Sequence, residues 1–151
     1  MPYYDYVAEG LNQPLGVRMN LLLITALLVT AVPQAVQPVD PTFERLAKVE
    51  RFAFGPVGYA GVMSSGEKDY RAMLARSSAM ADFERLFSSG NLQAKCYALV
   101  GIRKLSPQRF KDLAQSLRSS TEQVATMQGC IIFRVLLGDV IKQIDAGKHS
   151  R

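Results

Sequence analysis

Through most of the chain, apolar positions recur at the three- and four-residue spacing of one helix face, and polar caps divide them into short segments. Asp40 followed by Pro41 starts the first: an aspartate oxygen can take a free backbone N–H, and proline at the first helical position has none to waste. Phe43, Leu46 and Ala47 then share a face. Ser64 and Glu67 form the S-x-x-E pattern of a capping box and predict a helix over 65–76, with Tyr70, Met73 and Leu74 inward. A helix over 79–89 follows, with Met80, Phe83, Leu86 and Phe87 on one stripe and Gly90 as its stop. Asn91 caps NLQAKCYALVGIRKL, which is apolar almost all round between Cys96 and Ile102 and is expected at the centre of the core. Ser106 and Pro107 open another helix, with Phe110, Leu113, Ala114 and Leu117 facing in.

Two stretches break this period. RFAFGPVGYAGVM, from Arg51 to Met63, sets Phe52 and Phe54 in alternation and is interrupted by Gly55, Gly58 and Gly61, which reads as short extended pieces joined by turns. Residues 124–135 are enriched in β-branched types around Gly129 and predict a strand near 130–134, then a short helix over 138–144; continued helix after Val124 is the alternative. An isolated strand cannot satisfy its backbone groups, so its expected partner is the extended segment near Phe52 to Tyr59. The fold class expected is mainly α with a minor β part: a small orthogonal or solenoid-like bundle of about five helices and one short β element.

The N-terminal third has a different pattern. Arg18 and Asn20 flank LLLITALLVTAV, Leu21 to Val32, a run with no charge that meets Pro33. It falls short of the about 20 residues that span a bilayer and fits the about 7 to 15 of a secretory signal core. Val29, Thr30 and Ala31 match a signal-peptidase site, so cleavage is expected after Ala31, with Pro33-Gln34-Ala35 a poorer alternative. Residues 1–18 are long and polar for such a leader, and Met19 is a second candidate start. The organisation expected is thus a doubtful extension over 1–18, a signal peptide over 19–31, a linker over 32–40, one helical domain over 41–146 and a disordered tail over 147–151. The location expected is exported, periplasmic or extracellular. An uncleaved membrane anchor and a buried core helix are the other readings of the apolar run.

Composition narrows the function classes. The net charge of +5 comes from 18 basic and 13 acidic residues scattered singly, which gives no basic stripe for nucleic acid. Export makes a disulfide between the two cysteines, Cys96 and Cys130, the expected state, and closing that loop would stabilise the fold by about 4 kcal/mol. Two buried thiols are the alternative. GVMSSGEKD, Gly61 to Asp69, has the glycines of a phosphate-binding loop but Glu67 where that loop needs Lys, so the capping box accounts for it better. One histidine, His149 in the tail, supports neither a zinc motif nor a nucleophile's base. Glu67, Asp69, Asp82 and Glu84 are close in sequence, but each has a structural role available, as a cap, in a first helical turn or on a solvent face. No catalytic residue, cofactor or metal is expected.

DFERLFSSGNLQAKCYALVGIRKLSPQRFKDL, Asp82 to Leu113, resembles a HEAT-type helix pair, with Ala94, Ala98 and Leu99 where small and apolar residues seat the second helix on the first. The likeness implies a helical scaffold with an interaction face. Together with the leader and the glycine-aromatic segment, it resembles small exported bacterial proteins of no assigned function. The function expected is a non-catalytic accessory domain that binds another protein or an envelope component, and contacts a membrane only if the leader is retained. Phe52, Phe54, Tyr59 and Met63 are the candidate contact surface, because aromatics on a glycine-flexible loop offer area at small entropic cost. The alternative is that Phe52, Phe54 and Tyr59 close one end of the core.

Overall fold

The computed structural model describes residues 40–149, so the expectations for 1–39 and for Ser150 and Arg151 lie outside the described residues. The order of elements is α1 (Pro41–Ala47), β1 (Pro56–Val57), β2 (Val62–Met63), α2 (Ser65–Leu74), α3 (Ala79–Ser89), α4 (Leu92–Leu105), α5 (Pro107–Gln115), β3 (Gln123–Gln128), β4 (Ile131–Leu136) and α6 (Leu137–Asp145). The protein is mainly α with a minor β part, in two antiparallel hairpins, β1–β2 and β3–β4. None of the described helices is long and apolar enough to cross a membrane.

Local chemistry sets the helix starts. Asp40 accepts from the Thr42 N–H at 3.0 Å, Ser64 Oγ from the Glu67 N–H at 3.0 Å, and Asn91 Oδ1 from the Ala94 N–H at 2.9 Å. Ser106 makes no such side-chain bond, and Pro107, which needs none, begins α5 directly. α4 is the hub, packed against α2, α3, α5, α6 and β3. Every residue from Cys96 to Ile102 is buried. α3 lies close against it because Gly101 leaves room for Phe83, whose ring would stand 2.4 Å from a Cβ at that position. Arg45 forks onto Asp69 through Nε at 3.0 Å and Nη2 at 2.6 Å, and Arg76 pairs with Asp40, so the middle of α2 and the turn after it are tied to the α1 region.

The β side departs from expectation in its pairing. β4 takes β3 as its ladder partner, in the register Gln128↔Ile131 to Gln123↔Leu136. Gly129, at φ 56°, makes the two-residue reversal with Cys130 possible, so the partner is the stretch just upstream. The extended segment from Phe52 runs instead along the far edge of β3. The Phe52 N–H donates to Ala125 O at 2.8 Å, the Met127 N–H to Phe52 O at 3.2 Å and the Gly58 N–H to Gly129 O at 2.9 Å. β3 is therefore flanked by β4 on one side and by isolated bridges to the Phe52–Gly58 segment on the other, and β4 forms the outer edge.

Candidate interaction surface

The four residues expected to form one surface are divided between inside and outside. Phe52 is buried, because its carbonyl and N–H are both consumed by β3 and its ring turns inward. It meets the Tyr97 ring edge-on at 5.0 Å and Phe54 at 5.4 Å. Phe54 is half-buried and lies 5.2 Å from both Tyr70 and Tyr97. These two close one end of the core. Tyr59 is fully exposed in the turn between β1 and β2, and Met63 is exposed on β2 beside Val62.

The segment is held by buried polar contacts that spacing alone could not reveal. The Tyr97 hydroxyl donates to Ala53 O at 2.8 Å and accepts from the Ala53 N–H at 3.0 Å. Burial raises the phenol pKa and keeps the proton needed for the first of these bonds. Ser64 Oγ also donates to Ala53 O, at 2.9 Å. Glu67 does not reach back to Ser64 as a full capping box requires. Its buried carboxylate accepts from the Gly55 N–H at 2.8 Å and from Arg71 at 2.7 and 3.0 Å. Asp69 accepts from Arg45, and Glu84 from Arg109 at 2.7 Å, so the clustered acids are committed to ion pairs. Among the described residues, no three His, Cys, Asp or Glu side chains are grouped as a metal would need.

Cys96 and Cys130, the pair expected to form a disulfide, are free thiols in this structure. Cys96 points into the core from the middle of α4, whereas Cys130 sits in the solvent at the β3–β4 turn, so neither faces the other's surroundings. Burial pushes the Cys96 thiol up to about 12. Of the tail expected over 147–151, residues 147–149 are described. Those residues continue as a turn after α6, and the His149 ring packs on Phe52 at 5.0 Å and Phe54 at 5.4 Å. Burial, and secondarily the charge on Lys148, lowers the His149 pKa and favours the neutral ring.

The surface that the sequence reading missed is β4. Ile131, Ile132, Phe133 and Leu136 are all exposed, so IIFRVL presents apolar side chains on both faces of its ribbon. Among the described residues its outer backbone is unpaired as well. The Leu137 N–H bond to Glu122 O, at 2.8 Å, extends the ladder by one pair and sets its phase. Bonded pairs alternate in an antiparallel ladder, so Val135, Phe133 and Ile131 face β3, while Ile132, Arg134 and Leu136 turn their N–H and C=O groups outward. A run of β-branched and aromatic residues next to a glycine turn signals the strand; nothing local signals that it is an edge. No family model, curated protein or solved structure matches the chain.

Proposed function

We propose that this chain is a small exported, non-catalytic domain that binds a partner protein by adding one of the partner's strands to β4. The observation that carries the reading is the coincidence, on one six-residue strand, of a backbone edge unpaired among the described residues and four exposed large apolar side chains. Strand addition uses both features: backbone groups supply the hydrogen bonds, and alternate side chains supply selectivity. Arg134, at the middle of that edge, favours a partner segment with apolar residues flanking an acidic one. Tyr59, Val62 and Met63 on the other hairpin provide further exposed apolar area. Export rests on the apolar leader Leu21 to Val32. The absence of catalysis is supported by the ion pairing of Glu67, Asp69 and Glu84.

The test exploits the phase of the ladder. Proline at 134 removes an outward N–H and leaves the bonds to β3 intact, as edge positions tolerate. A photocrosslinking side chain at Ile132 should capture a discrete partner in the cell envelope, while one at Gln108 on α5 should not. Arg134→Pro should abolish that adduct and leave the thermal midpoint within a few degrees of the parent. An adduct indifferent to Arg134→Pro, or none at Ile132, overturns strand addition.

A further inference from the structure

Beneath the inner face of the β3–β4 hairpin lies a cavity of about 700 Å³, bounded also by the Phe52–Pro56 segment, α2 and the turn after α6. That volume suits a small organic molecule. Its apolar lining comes mainly from Phe52, Phe54, Phe133, Val135 and Val140. Among the described lining residues the charged groups are Glu67, Arg71 and Lys148. Glu67 and Arg71 are 2.7 Å apart and offset each other, so Lys148 leaves the cavity with a surplus positive charge. A further feature is His149 Nε2, which is buried at this site without a hydrogen-bond partner among the described residues. A buried polar atom in that state is unfavourable unless something satisfies it.

We propose that this cavity binds a small monocarboxylate with an apolar body, the carboxylate meeting His149 Nε2 and Lys148 and the body lying against Phe54, Phe133 and Val140. Each part of the ligand answers one observation. The apolar walls take a hydrocarbon or aromatic body, the surplus positive charge takes one negative charge, and a protonated Nε2 donates to a carboxylate oxygen. A neutral His149, which its burial favours, still supplies that donor from one ring nitrogen. A cationic ligand would oppose Lys148. The cavity shares Phe133 and Val135 of β4 with the strand-addition edge, but Arg134 is not part of its lining, so a change at Arg134 tests strand addition without removing a cavity wall.

The experiment titrates the full-length protein with four probes, decanoate, 3-phenylpropionate, decanol and decyltrimethylammonium, following the His149 ring resonances by NMR. Saturable binding of at least one carboxylate, with the His149 resonances shifted and the alcohol and the cation each at least tenfold weaker, is the expected result. Decanoate and 3-phenylpropionate separate an aliphatic from an aromatic body. Lys148→Ala should weaken the carboxylate several-fold, and His149→Phe, which keeps a ring on Phe52, should do the same without unfolding the domain. Arg134→Pro should leave binding unchanged, so failure here and failure of strand addition are distinguishable. Equal affinity for carboxylate, alcohol and cation, or no saturable binding, or carboxylate binding unaffected by both Lys148→Ala and His149→Phe, overturns the proposal.

Discussion

α4 between Cys96 and Ile102 is apolar almost all round and β4 has apolar side chains on both faces, yet the α4 stretch is buried and β4 has Ile131, Ile132, Phe133 and Leu136 exposed. The difference follows from where each element's backbone bonds go. A helix satisfies its interior N–H and C=O groups internally, so α4 can be enclosed on all sides at no cost in backbone bonding. A strand satisfies half of its groups on each flank, and the second flank requires another strand. β3 has β4 on one flank and the bridging Phe52–Gly58 segment on the other, with Val124 buried; β4 has only β3 beside it among the described residues and stays at the edge. All-round apolarity thus accompanies burial in the helix α4 and exposure in the edge strand β4.

The largest test of this contrast uses the two thiols, one in each region. Alkylation of the native protein near pH 8 should modify Cys130 within minutes, since it is exposed in the turn leading into β4. Cys96 is buried in α4 and its thiol is pushed up to about 12, so it should react only through opening of the fold. An opening free energy of about 5 kcal/mol slows that reaction by more than about 10³-fold. Mass spectrometry should find one label in the native protein and two in denaturant. No label under native conditions, with both thiols recovered only after reduction, would restore the disulfide. Two rapid labels would break the picture of α4 as a sealed centre.

Next in size is a matched pair of phenylalanine truncations. Phe83→Ala empties the space against Gly101 at the α3–α4 contact, where Phe83 has no exposed surface. It should cost about 3–5 kcal/mol, seen as a fall in the melting temperature on the order of 10–20 °C. Phe133→Ala on β4 removes a ring that is 43% exposed and should cost less than about 1 kcal/mol. Similar losses from both substitutions in thermal or denaturant unfolding would mean that β4 belongs to the core and offers no spare surface.

Much of the helical part was legible because its signals are local. Asp40 with Pro41, Ser64, Asn91, and Ser106 with Pro107 each mark a boundary within one turn of the residues they serve, and the helices start where those residues stand. The rest depended on partners far away in the chain. β3 went unread because QVATMQ buries only Val124 fully, and its other positions do not separate a strand from a loop. Glu67 was legible as a cap partner, but its carboxylate is drawn to Gly55, 12 residues back, and Tyr97 reaches 44 residues back to Ala53. The aromatic segment was recognised as a unit. Which of its rings turn inward was set by the Phe52 bonds to β3, and spacing does not encode those. The same limit hid the opposite environments of Cys96 and Cys130.

The smallest effect tests the seam where the two regions meet, at His149. Its ring lies on Phe52 and Phe54, and burial lowers its pKa below the usual 6.5. The unfolded chain then binds more protons than the folded one as the pH drops, so this contribution to stability is complete above about 6.5 and declines below it. Asp40, lowered by its bond to Arg76, loses its contribution only near and below its ordinary 3.8, which leaves pH 5 as a window on His149. Denaturant midpoints should fall between pH 7.5 and pH 5 in the parent and fall less in His149→Phe, where nothing can take up the proton. Equal slopes in the two proteins would show that the ring is solvated, free of Phe52 and Phe54, and that residues 147–149 behave as the frayed end expected from GKHSR. A steeper slope in the parent fixes the C-terminal turn to the aromatic cluster, and with it the wall that joins the helical core to the β3–β4 hairpin.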